Sequence, residues 1–149
     1  MAMRCRPFLT LLAAGLCLAT CLGCGPKRPP TAVVSGHVTY AGKPLAVGRI
    51  MFWPQHGRPA MGEIGPDGGY RLTTFAHGDG ALLGSCRVTI EAKQDAPPPK
   101  GPNPDGLPPI NVIKWLIPQS YSRQETSPLT AEVKAGENTI NFDLPGERP

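Results

Sequence analysis

The stretch Val33-Val-Ser-Gly-His-Val-Thr-Tyr-Ala-Gly-Lys-Pro-Leu-Ala-Val-Gly-Arg-Ile-Met-Phe-Trp-Pro54 decides the fold class. Val34, Gly36, Val38 and Tyr40 share one face of an extended segment, and Ser35, His37 and Thr39 share the other. Successive side chains leave opposite faces of a strand, so a period of two marks a half-buried strand. Ala41-Gly42-Lys43-Pro44 then reverses the chain. Beyond it, Ile50 and Phe52 alternate inward against Arg49, Met51 and Trp53 outward. The spacing predicts a strand–turn–strand pair that seeds a β-sandwich.

Later segments repeat the pattern. Ala60 to Ile64 adds a short strand, and Gly65-Pro-Asp-Gly-Gly69 is a turn, since Asp-Gly tolerates positive φ. Tyr70, Leu72 and Thr74 alternate with Arg71 and Thr73, and His77-Gly-Asp-Gly80 breaks the chain. From Ser85 to Lys93, Cys86, Val88, Ile90 and Ala92 face in, while Arg87, Thr89, Glu91 and Lys93 face out. Ile110 to Ile117, bracketed by Pro109 and Pro118, reads as extended. Leu129 to Ala135 and Ile140 to Leu144, joined by Gly136-Glu-Asn138, read as a closing hairpin. No sustained 3.6-residue apolar period follows residue 24, so little helix is expected. About seven strands with closely spaced turns predict an all-β, antiparallel two-sheet sandwich over 33–145.

The 18 glycines and 19 prolines among 149 residues approach the composition of disordered chains. Many are punctuation between apolar-alternating runs, as turns in an all-β domain require. The exception is a loop at 94–109, with seven prolines in sixteen residues, which reads as a solvated insertion.

The N-terminus has a different character. Arg4 and Arg6 precede an apolar run from Phe8 to Ala19, the length of a secretory signal and too short to span a bilayer comfortably. The run ends in Cys21-Leu-Gly-Cys24-Gly25. Here the chain resembles bacterial lipoprotein leaders, in which small residues precede a modified cysteine. The resemblance implies a signal peptide at 1–23, a thioether-linked diacylglycerol on Cys24, with Cys21 as the alternative, and a membrane-anchored protein of the bacterial envelope. Residues 24–32, with Pro26, Pro29 and Pro30, then read as a stiff tether holding the domain off the lipid. Loss of Arg4 and Arg6 with the leader leaves 13 basic residues against 11 acidic. No basic cluster beyond Lys27-Arg28 remains, which argues against a nucleic-acid partner.

Val34-Ser-Gly-His-Val-Thr-Tyr-Ala-Gly-Lys-Pro-Leu45, Gly48-Arg-Ile-Met-Phe-Trp-Pro54 and Gly65-Pro-Asp-Gly-Gly-Tyr-Arg-Leu72 also look like landmarks of a known family. So does Val133-Lys-Ala-Gly-Glu-Asn-Thr-Ile-Asn-Phe-Asp-Leu144. They resemble the carboxypeptidase regulatory-like, transthyretin-type (prealbumin-like) domains of short bacterial lipoproteins. These motifs consist of turn glycines and core apolar residues, so the resemblance implies a fold and carries no catalytic residue.

The chemistry-bearing residues are scattered. His37 lies on an outward strand position, and His56 and His77 lie in loops. Asp67 and Asp79 precede turn glycines, where local hydrogen bonding accounts for them. The lone domain cysteine, Cys86, sits in an inward row and reads as a small hydrophobe. No nucleophile elbow is present, and the chain ends Gly146-Glu-Arg-Pro149 instead of the Tyr-Arg-Gly-Ser tail of transthyretin-related hydrolases. No catalytic residue, metal ligand or cofactor is therefore expected. The candidate contact surface is Met51, Trp53 and Trp115, which suits an envelope protein or polysaccharide partner.

Overall fold

The computed structural model describes residues 28–96 and 112–146. The leader with Cys21 and Cys24, the proline-rich stretch 97–109, the first two residues of the 110–117 segment and the last three residues lie outside the described residues. Among the described residues, thirteen extended segments make the fold: β1 (Thr31–Ala32), β2 (Val34–Tyr40), β3 (Lys43–Pro44), β4 (Gly48–Pro54), β5 (Ala60–Ile64), β6 (Gly69–Arg71) and β7 (Ala81–Leu82). They continue with β8 (Gly84–Glu91), β9 (Lys93–Ala96), β10 (Val112–Trp115), β11 (Thr130–Val133), β12 (Asn138–Thr139) and β13 (Phe142–Leu144). A single 3₁₀ turn, Gln119–Ser122, is the helical element among the described residues.

The strands pair in the order β11-β8-β4-β5-β6-β2-β12, with β3 and β13 also on β2. This sheet curls over itself, so that its β2 side faces its β4–β8 side across one core, and the all-β sandwich is the fold of this chain. Phe52 of β4 meets Phe142 of β13 edge-on at 6.0 Å between ring centroids, and Tyr70 of β6 at 6.4 Å. Val34, Val38, Ile50, Leu72, Val88, Ile90 and Leu144 pack around them with no exposed surface. Ile140, two residues before Phe142 on the same parity, is only half-buried.

The alternation places faces correctly, but the partners differ from expectation. β2 and β4 are not neighbours: β2 lies between β6 and the β12–β13 edge, and β4 lies between β5 and β8. The Ala41–Gly42 turn, with both φ positive, pairs β2 only with the two-residue β3. Pro44 has no N–H to extend the ladder. Leu45 is buried and donates its N–H to the Val38 carbonyl, and the chain then departs for the facing side.

The closing hairpin is likewise absent. β11 pairs antiparallel with β8, whereas β12 and β13 pair parallel with β2. The Asn138 side chain accepts from the Lys134 N–H and donates to the carbonyls of Lys134 and Gly136. It thereby closes a local turn and steers the chain from one edge of the sheet to the other. Gly36 permits the last crossing, because a Cβ there would overlap the Ile140 carbonyl. Tyr70 donates its hydroxyl to that same carbonyl at 2.7 Å.

Two boundaries move. Thr31 and Ala32, expected in the tether, pair with Leu82 and Ala81, and Ala32 is part of the core. Gln94 to Ala96, expected in the loop, form β9 and pair with β10 as a two-stranded ribbon. Because β2, β5 and β8 run opposite to β4, β6 and β11, the molecule has two ends. Arg28 to Pro30 enter at one, beside the loops after β4 and β6. The β9–β10 ribbon extends β8 beyond the other.

Candidate contact surface

Three cross-strand rows cover the outer face of β5, β4 and β8. Glu63, Arg49 and Glu91 are in register in the first, and Met61, Met51 and Thr89 in the second. Trp53, Arg87 and Thr130 make the third. Directly opposed side chains in a sheet are close enough to interact, so each row acts as a unit. The first is ionic: Arg49 reaches Glu63 at 3.1 Å, and Lys93, two residues beyond Glu91, reaches that carboxylate at 2.6 Å.

The second and third rows are joined by Trp53. Its indole N–H donates to the Thr89 hydroxyl at 2.9 Å, diagonally across the pair. Thr89, expected to point into solvent, does sit on the outer face but is only 5% exposed because the neighbouring indole covers it. Met51 and Trp53 are half-buried, and Met61 beside them is 44% exposed. A groove of about 300 Å³ flanks Trp53, lined also by Ser85, Arg87, Gln124 and Thr130.

Trp115 stands apart from this patch. It lies opposite Lys93 in the ribbon, with the ammonium 6.0 Å from the ring centroid, a cation–π contact. Trp53 lies opposite Arg87, and from Arg87 to Lys93 the strand advances roughly 20 Å. The structure thus joins Met51 and Trp53 with Met61, and separates Trp115 from them by the ionic row. Ribbon residues Val112 and Ile113 are 45% and 55% exposed. The sequence reading missed Met61 and this ribbon. The outward parity of Met61 between Ala60, Gly62 and Ile64 was the available signal for the first.

The polar candidates have local structural roles. His37 approaches Asp67 at 3.9 Å, while His56 and His77 occupy loops at the opposite end. Asp79 accepts from the backbone N–H groups of Thr74 at 2.7 Å and of Phe75 and Ala76 at 3.0 Å each. Burial raises its pKa, but these bonds, with one from its own N–H, outweigh that effect and hold the carboxyl below the usual range. Asp79 thereby clamps the loop from Thr73 to Gly80. Burial, and secondarily the charge of Glu132, push the Cys86 thiol up and keep it protonated. Burial also pushes Tyr70 up. Among the described residues, no group of three His, Cys, Asp or Glu side chains is placed to hold a metal ion.

The geometry defines an all-β sandwich with an aromatic–thioether patch on one sheet face and a projecting ribbon. No family profile and no curated protein matches the chain in sequence. Among solved structures, the crystal structure of a DUF3823 family protein from Parabacteroides merdae is similar over 78% of this chain, at 16% identity and a TM-score of 0.40. The match spans 46% of that protein's length, less than half of it.

Proposed function

We infer that the chain is a lipoprotein of the bacterial envelope, held to a membrane through Cys24, whose sandwich acts by contact instead of chemistry, in a structural or protein-interaction role. The observation that carries this reading is the polarity of the fold. The chain enters at Arg28–Pro30, four residues after Cys24, at one end, and the β9–β10 ribbon projects from the other. An anchor at the first end sends the exposed Val112 and Ile113 away from the lipid. The likeness of its turn and core motifs to carboxypeptidase regulatory-like, transthyretin-type domains is consistent with such a scaffold.

Intact-mass analysis of the membrane-extracted protein tests the anchor. The expected mature chain begins at Cys24 and carries a diacylglycerol, which Cys24→Ser abolishes and Cys21→Ser leaves in place. An unmodified Cys24 in the wild type contradicts the reading.

A second reading is supported by the groove beside Trp53. An indole fixed by Thr89 and flanked by Arg87, Gln124 and Thr130 suits a sugar ring, which stacks on aromatic faces while its hydroxyls meet planar polar groups. Envelope polysaccharides would then quench Trp53 fluorescence, and Trp53→Ala would remove their binding.

A further inference from the structure

Among the described residues, the Lys and Arg ion pairs lie on the sheet face toward the ribbon end, where Arg49 and Lys93 each have a carboxylate partner, while Lys43 and Lys114 at that end make none. At the end where the chain enters, Arg28, Arg58, Arg71 and Lys134 are exposed, and none makes an ion pair among the described residues. Arg28 stacks 5.6 Å from the Phe75 ring centroid, and Arg71 donates weakly to the Gly78 carbonyl at 3.5 Å. The acidic groups at this end are Glu132, Glu137 and Asp79, and Asp79 is turned onto the three N–H groups of its loop.

The same end carries apolar surface. Leu83 is 40% exposed and, with Leu82, Pro29, Pro30, His56 and Gly57, borders a groove of about 310 Å³. Unpaired cations around an exposed leucine form the composition that settles on a lipid–water boundary.

Chain length limits how far this surface lies from a membrane. Between Cys24 and β1 stand only residues 25–30, Gly-Pro-Lys-Arg-Pro-Pro. Six residues of any conformation span at most about 20 Å. Arg28 lies within this span, and Arg58 and Lys134 occupy loops at the end where it joins the fold. A Debye length of about 8 Å at physiological salt is short against the full reach, so the attraction acts only when the domain settles down. The tether allows that approach.

We propose that this end is a second, non-covalent membrane contact, in which Arg28, Arg58 and Lys134 around Leu83 bind the anionic headgroups of the bilayer that holds the anchor. The proposal rests on the anchored reading for its geometry. It fixes the orientation of the sandwich, with the ribbon presented outward and the groove beside Pro29 and Pro30 closed against lipid.

The core and every described ladder fall within Thr31–Leu144, so a chain starting at Gly25 contains the whole folding unit. That chain, without lipid, is measured for partition into phosphatidylcholine vesicles with and without phosphatidylglycerol. Binding to the mixed vesicles alone, weakened by salt, is the expected result. Arg58→Gln and Lys134→Gln should each lower partition about fivefold, the weight of one cation near an anionic surface. Lys43→Gln and Lys114→Gln, at the ribbon end, should leave it unchanged, with thermal midpoints matching throughout. Equal partition into both vesicle types, or equal loss from the ribbon-end variants, overturns the proposal. Release by inorganic phosphate beyond that by chloride at matched ionic strength also overturns it, in favour of a discrete phosphate site. The mass of Cys24 in the full chain is scored separately, so an absent anchor and an absent headgroup contact give different results.

Discussion

The entry end of this sandwich is built from longer loops and carries no ion pair among the described residues, whereas the ribbon end has tighter turns and adjoins a sheet face with two Lys or Arg ion pairs. Across β5, β4 and β8, Arg49 and Lys93 pair with Glu63 and Glu91, and Lys93 also lies over the Trp115 ring, while Lys43 and Lys114 at the ribbon end make no ion pair among the described residues. At the entry end, the buried side of the loop is satisfied by Asp79, and the cations face outward. The contrast separates polar groups that keep the fold from polar groups available to something else. Exposed ion pairs contribute little stability, so the sheet-face pairs matter chiefly in removing net charge from that surface.

One core joins the two ends, and the largest expected effect tests it. Phe52 touches both Phe142 and Tyr70, and Phe52→Ala should cost about 3–5 kcal/mol in chemical denaturation. Phe142→Ala should fall in the same range, while Thr139→Ala, exposed in β12, should cost under about 0.5 kcal/mol. Equal losses for Phe142→Ala and Thr139→Ala would place β13 in a different register.

A smaller effect isolates the entry end. Asp79→Ala leaves three loop N–H groups without their acceptor and should cost about 1–3 kcal/mol. Because the folded pKa of Asp79 lies below its ordinary 3.8, its contribution is complete above about pH 4 and is lost as pH falls through the folded value. Asp79→Asn should therefore flatten the acid limb of a stability–pH curve without changing its slope near neutrality. An unchanged acid limb would mean the clamp does not hold in solution.

The smallest effect lies on the sheet face between the ends. Trp53→Phe keeps the ring but removes the N–H to Thr89, and should cost about 1 kcal/mol. Arg49→Gln in the neighbouring ionic row should cost under about 1 kcal/mol, with the difference vanishing in high salt.

Much of the fold was legible because burial has the period of the pleat. Val34 and Val38, Ile50 and Phe52, and the row from Cys86 to Ala92 are all inward and buried. Periodicity identifies a face and says nothing of the neighbour, so alternation alone pairs β2 with β4 and β11 with β13, as the chain order suggests. Their true partners depend on Pro44 ending a ladder, Leu45 entering the core and Asn138 closing a turn. The contact surface was half legible for a related reason. Met51 and Trp53 share a strand and parity, whereas the distance to Trp115 depends on the path of β8 into β9. The covering of Thr89 by Trp53 is a cross-strand diagonal that alternation along one strand does not encode.

The proposed orientation puts the entry end on the membrane and the ribbon away from it. Photo-crosslinking residues placed at Leu83 and at Ile113 in the protein expressed from the whole sequence and kept with its membranes measure this directly, since both positions are exposed. In that orientation phospholipid adducts form from position 83 and none from position 113, where only protein or polysaccharide adducts form. Phospholipid adducts at equal yield from both positions, or from 113 alone, would contradict it.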